Sequence, residues 1–213
     1  MRIGELSRRT GVPVPTVKYY VREGLLPPGR LTSPNQASYD ETHERRLRLI
    51  RALLDVGGLK VAAIREVLAA VDDPARSVHD VLGEATNSII TRYGEEADDE
   101  AVAARAEVNA LMARRGWQVD PANPAADALA AALAALGRLG HGGFARVLDD
   151  YADAAQTVAR ADLGYVAGRA AMDDLVESVV IGTVLGDAVL IALRRLAQVD
   201  ESARIYGAGK APR

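Results

Sequence analysis

The chain has 213 residues, a net charge of −3, 49% apolar residues, 4% aromatics and no cysteine. That apolar fraction can fill a core, and the dominance of Ala, Leu, Val and Arg over aromatics favours packed helices over a sandwich or barrel. The missing thiols exclude disulfides, thiolate metal sites and a thiol redox sensor, and His43, His79 and His141 lie too far apart in sequence to suggest a local metal site.

In chain order, Met1-Arg2-Ile3-Gly4-Glu5 leads straight into an amphipathic pattern with no signal peptide, so a cytoplasmic protein is expected. Ile3, Leu6 and Val12 bracket a first short helix that breaks at Thr10-Gly11. Pro13 or Pro15 suits the first turn of a second helix, whose apolar side uses Val14, Val17 and Val21, and Gly24 ends it. Leu25 and Leu26 return to the core before Pro27-Pro28-Gly29 force an extended or turning chain. Residues 30–39 are polar, with turn chemistry at Thr32-Ser33-Pro34-Asn35, and suit two short strands forming a wing. Asp40 is the expected N-cap of a third helix, with Leu47, Ile50, Leu53 and Leu54 at helical spacing. After Gly57-Gly58, the residues Val61, Ile64, Val67 and Leu68 mark a fourth helix ending near Val71.

Charge separates the same region from the rest. Residues 1–70 hold 12 Lys+Arg and 7 Asp+Glu, a net of +5, whereas residues 71–213 hold 14 and 22, a net of −8. A basic head on an acidic body suits a head that meets phosphates.

The ordered motifs Ile3-Gly4-Glu5-Leu6, Thr10-Gly11-Val12, Thr16-Val17-Lys18-Tyr19-Tyr20, Arg22-Glu23-Gly24-Leu25-Leu26, Tyr39, Arg46-Leu47 and Ile64-Arg65-Glu66-Val67 resemble the DNA-binding domain of the MerR family of bacterial transcription regulators. The resemblance covers the first third of the chain. It implies a winged helix-turn-helix over 1–71, and the helical patterning of the rest makes the chain mainly α, with an all-helical domain over 72–213 for dimerisation and possible effector binding. It further implies a homodimer on a pseudo-palindromic operator in double-stranded DNA, acting on RNA polymerase indirectly by distorting the promoter. Thr16, Lys18 and Tyr19 or Tyr20 would face the major groove and its phosphates, and Arg30, Asn35 and Tyr39 would make the wing's backbone contacts. Lysine and tyrosine at such places hold phosphate oxygens and fix register. The chain departs from the family pattern at Pro15, where many relatives carry arginine. Lys18 replaces a bidentate arginine with a point charge, and the wing reads Asn35-Gln36-Ala37-Ser38-Tyr39 in place of Gly-Tyr-Arg-x-Tyr.

The body opens at Asp72-Asp73-Pro74. Val78, Val81, Leu82, Ala85, Ile89 and Tyr93 form an apolar stripe where the family places its dimer helix, and a weakly amphipathic helix follows over about 98–115. Past the loop around Gly116-Trp117 and Asp120 to Pro124, Leu129, Leu133, Leu136 and Leu139 share one helix, which Gly140-His141-Gly142-Gly143 close. Phe144, Val147, Leu148, Tyr151, Ala155 and Val158 mark the next, weakened after Gly164. The last helical region, from Met172 to Val199, is apolar nearly all round from Leu175 to Leu193 and so is expected to be buried on every side, a partner subunit covering one of them. Glu177 and Asp187 argue against a membrane span. Gly182 and Gly186 would admit a close helix, and residues 182–190 are similar to the C-terminal dimer helices of TetR-family regulators. Dimerisation could therefore use the 74–93 helix, the 172–199 helix, or both.

A body of that kind could alternatively be a receptor for a small hydrophobic effector, with Trp117, Phe144, Tyr151 and Tyr165 as ligand-binding candidates, although each serves equally as core packing. Acidic clusters such as Asp149-Asp150-Asp153 read as solvated helix faces. With no metal constellation, phosphate cradle or nucleophile–base pairing, neither a cofactor nor enzymatic activity is expected.

Overall fold

The computed structural model describes residues 1–34, 36–73, 75, 77, 83, 87, 90, 98–167 and 172–207. Asn35 and most of the 74–93 stripe lie outside the described residues. Among those described there are eight α-helices and one two-stranded sheet, which establishes the mainly α class. None of these helices is long and apolar enough to cross a membrane. The chain forms two compact units: 1–88 together with 170–213, and 89–169.

The first unit opens with α1 (Ile3–Thr10) and α2 (Val14–Arg22), a helix-turn-helix. Gly11 supplies the turn by adopting φ 70°, where a side chain would be strained. Pro13 caps α2 and Pro15 sits in its first turn, where a missing N–H costs nothing. Strands β1 (Arg30–Ser33) and β2 (Gln36–Ser38) pair antiparallel, Arg30 opposite Ser38 and Leu31 opposite Ala37, and make the wing. Its base is tied to the chain's start by an Arg2–Ser38 bridge and by the Tyr39 N–H donating to the Met1 carbonyl at 2.8 Å. Helices α3 (Glu41–Asp55) and α4 (Val61–Asp72) complete the head. Its core is a continuous set of fully buried aliphatics that includes Leu6, Val12, Val17, Leu25, Leu47, Ile50 and Ile64. Arg46 fastens three segments, donating to the Leu25 carbonyl at 3.1 Å and pairing with Asp72, while Arg65 binds the Glu23 carboxylate at 2.7 Å.

In the second unit, α5 (Asp99–Arg115) and α6 (Pro124–Arg138) pack as an antiparallel pair over small residues. Ala104, Val108, Met112, Ala126, Ala130 and Ala134 form their shared core, and Trp117 packs against it. Asp98 and Asn123 cap the two helices through their side chains, and Gly116 ends α5. Phe144 and Val147, expected to begin an α-helix, lie instead in a 3-10 turn from Gly142 to Val147, and α7 runs from Leu148 to Ala167 straight through Gly164. One glycine costs a helix only about 1 kcal/mol, less than the neighbouring helix formers contribute. Arg114 and Arg115 hold Asp149 at the start of α7, and Arg115 also pairs with Asp153.

The last helix, α8 (Met172–Tyr206), extends past the expected end at Val199 and folds with the head. Val184 is 2% exposed and lies over the α3–α4 turn, where a Cβ on Gly57 would meet the Val184 Cγ1 at 2.3 Å and the Leu53 carbonyl oxygen at 2.8 Å. Beyond this anchor the single chain does not itself cover the stretch expected to be buried on every side: Val189 and Leu193 are each 58% exposed, and further on Leu196 is 68% and Val199 71% exposed. A helix of 35 residues spans about 52 Å, more than a head of this size can cover. Gly57→Ala is expected to destabilise the protein by about 1–3 kcal/mol through overpacking, read from the urea midpoint. An unchanged midpoint would mean that α8 does not hold this position in solution.

Candidate nucleic-acid interface

Helix α2 has two faces of different character. Val17 and Tyr20 are buried against the head core, while Lys18 and Arg22, one turn apart, are exposed with Tyr19 half-buried between them. The two adjacent tyrosines thus point differently: Tyr20 anchors α2, and its burial pushes the phenol above the usual range. Tyr19 remains on the surface with its ring centroid 5.9 Å from that of Tyr20. The Arg22 guanidinium sits 5.4 Å from the Tyr19 ring centroid, a cation–π contact that orders both groups on the outer face. Thr16 is half-buried one turn before Tyr20.

On the wing, Arg30 is exposed at the start of β1. Tyr39 is 9% exposed and stacks edge-on against His43 with centroids 5.1 Å apart, so it supports the wing from beneath. The structure therefore brings Lys18, Tyr19 and Arg30 to the surface, buries Tyr20 and Tyr39, and leaves Asn35 outside the described residues. Arg22 joins the set. Its spacing of three from Tyr19 and four from Lys18 was the available signal, and only the buried face of α2 shows which side it is on.

The junction between wing and α3 is held by a cap. The Asp40 carboxylate accepts from the Thr42 N–H at 3.1 Å, the Thr42 hydroxyl at 2.5 Å and the His43 N–H at 3.4 Å. His43 Nδ1 lies 2.7 Å from the same carboxylate oxygen and 3.3 Å from the Asp40 backbone N–H. One nitrogen cannot both donate and accept, and the shorter, charge-assisted contact puts the proton on Nδ1. The Thr42 hydroxyl, followed by His43, holds the Asp40 carboxyl well below the usual carboxylate range. A depressed carboxylate stabilises the fold above its unfolded pKa and loses that contribution as pH falls. The stability gap between wild type and Asp40→Asn should therefore be widest near neutrality and close as pH drops below about 4, as thermal melts across pH would show. A gap independent of pH would count against the cap.

Of the aromatic candidates of the second unit, Tyr165 stands apart from the Phe144–Tyr151 pair. Trp117 belongs to the α5–α6 core, and Phe144 and Tyr151 meet edge to face with centroids 5.6 Å apart. Tyr165 lies fourteen residues further along α7 from Tyr151, about 21 Å away, and is 61% exposed. Among the described residues no cluster of three or more His, Asp or Glu could hold a metal ion.

Residues 1–71 match the MerR HTH family regulatory protein domain. The chain is 32% identical over 99 residues to the HTH-type transcriptional regulator ZntR homolog of Haemophilus influenzae, covering 46% of this chain and 73% of that one. It is 35% identical over 81 residues to heavy metal-dependent transcription regulator 2 of Rhizobium meliloti, covering 38% of this chain and 54% of the relative. Across nearly its whole length it resembles the crystal structure of SCO5550 from Streptomyces coelicolor A3(2), assigned as a transcriptional regulator. That similarity has a TM-score of 0.74 and 42% identity over 97% of this chain and 98% of that one. The head with its outward-facing α2 and its wing, and relatives matched over most of their length, make this chain a member of the MerR family of DNA-binding transcription regulators.

Proposed function

We propose that the protein binds a pseudo-palindromic promoter operator as a homodimer and regulates transcription by distorting the DNA between its half-sites, meeting RNA polymerase only through that promoter. The observation that carries this reading is the division of α2: Val17 and Tyr20 lock it to the core while Lys18, Tyr19 and Arg22 stand outward beside a wing that exposes Arg30. An α-helix presented in this way fits the major groove, and the wing reaches adjacent backbone. Lysine and arginine contacts to phosphate release counterions, so affinity for the operator falls steeply with salt. A heavy-metal response is part of the name of one relative. Thiolate ligation is not open to this chain, which carries no cysteine. The place of action is the cytoplasm, where a bacterial promoter lies.

The test is fluorescence anisotropy on duplexes recovered by genomic footprinting, against shuffled duplexes of equal length, over a salt series. The reading requires tight binding to the recovered site, at least ~1,000-fold above shuffled DNA, with an altered end-to-end distance in doubly labelled operator DNA. Equal affinity for shuffled duplexes would overturn sequence-specific regulation, and an unbent operator would overturn the distortion mechanism.

A further inference from the structure

The outward face of α2 changes character along its axis. Lys18, Tyr19 and Arg22 occupy its later part, whereas its first turn presents Val14, Pro15 and Thr16. At about 100° per residue, Pro15 falls between Lys18 and Tyr19 on the side opposite Val17 and Tyr20, and it is exposed. Hydrogen-bond donors are scarce at this end. Pro13 and Pro15 carry no N–H, and the Val17 N–H is already bonded to the Pro13 carbonyl at 3.0 Å. Of the three side chains in the first turn, only the half-buried Thr16 has a polar group, its hydroxyl. Arg22 shares this face but lies about 10 Å further along the axis, where it is engaged over the Tyr19 ring. The first turn is therefore an apolar step on a face that otherwise carries cations.

We propose that Pro15 reads the C5-methyl group of a thymine in each operator half-site. The proposal rests on the operator reading above and names the chemistry by which that operator is recognised. The N-terminal residues of a helix lying in the major groove are those that reach base edges. Guanine and adenine are read there by arginine, lysine, asparagine or glutamine, and cytosine by a carboxylate. None of these residue types stands between Pro13 and Val17. The thymine methyl is the apolar feature that the groove displays, and a rigid pyrrolidine ring packs on it without giving up any hydrogen bond to water. Lys18, Arg22 and Arg30, all exposed, supply cations for the phosphates around it, so charge brings the apolar step to the groove. Affinity then comes from the cations and sequence preference from Pro15.

The test is binding of the full chain to operator duplexes in which each half-site thymine is replaced in turn by deoxyuridine, which keeps the base pair and loses only the methyl. One thymine position per half-site should weaken binding about 4-fold when replaced, and both half-sites together about 15-fold, the worth of one buried methyl group per protomer. Pro15→Gly deletes the ring at an exposed position and leaves no cavity, so the helical circular dichroism should be kept. This variant should bind the thymine and deoxyuridine operators within about 2-fold of each other. A penalty that persists undiminished in Pro15→Gly would show that the methyl acts through DNA shape or another side chain, and would overturn the assignment to Pro15. A wild type that prefers its operator over shuffled DNA yet tolerates every replacement would overturn methyl recognition and leave sequence-specific binding standing. Equal affinity of wild type for operator and shuffled duplexes would overturn both.

Discussion

Lys18→Ala should weaken operator binding by roughly 10- to 100-fold for each protomer of the homodimer, the worth of one charge-assisted hydrogen bond per half-site. It should do so almost equally on cognate and shuffled duplexes. A lysine that meets a phosphate contributes affinity without reading bases, so its removal also lowers the slope of log affinity against log salt by about one per protomer, about two for the homodimer. Arg22→Ala should act differently. Its guanidinium is held over the Tyr19 ring at 5.4 Å, so removing it takes away a cation and also frees the tyrosine it orders. Tyr19→Phe keeps that platform and loses only the hydroxyl, whereas Tyr19→Ala loses both. The expected order of affinity is wild type, Tyr19→Phe, then Tyr19→Ala with Arg22→Ala. If Lys18→Ala leaves both affinity and salt slope unchanged, the outer face of α2 is not what enters DNA.

That assignment shows how far local sequence reaches. Gly11, Pro13 and Asp40 each do locally what their residue types favour: a left-handed turn, a helix start and an N-cap. Such features depend on a few neighbouring residues, which is why the head was legible from its motifs. Periodicity also required one of Tyr19 and Tyr20 to face inward, and burial identifies it as Tyr20. Other features were hidden because they depend on residues distant in sequence. Glu44 sits in the run Glu41 to Arg48, which reads as a solvated helix face, yet it is 5% exposed because α1 packs across it. The return of α8 to the head depends on Gly57 having no side chain, and a glycine pair after a helix looks like an ordinary stop. The exposed run of α8 was apolar enough to suggest burial. A sequence shows that such a surface must be covered, and cannot show whether its own chain or another one covers it.

Glu44 provides the largest expected effect on stability. Its carboxylate is nearly sealed from water between α1 and α3, with Arg9 Nε 2.7 Å from one oxygen and Arg48 Nη2 2.5 Å from the other. The Arg48 contact is a hydrogen bond. The Arg9 contact is an ion pair without hydrogen-bond alignment, so that oxygen has no donor. Both arginine side chains are substantially exposed, 47% and 66%, and can return to water at little cost, whereas the buried carboxylate cannot. The two sides of the network are therefore unequal. Arg9→Ala or Arg48→Ala alone leaves one cation in place and should cost about 1 kcal/mol, in keeping with half-exposed pairs. The double variant strands a buried charge and should lose about 3–5 kcal/mol in urea unfolding, well beyond the sum of the singles. Adding Glu44→Gln to the double variant should restore much of the loss, because a neutral amide costs far less to bury than a carboxylate. Simple additivity in the double variant, or no rescue by Glu44→Gln, would show that Glu44 is hydrated in solution and that α1 is not clamped to α3 by charge.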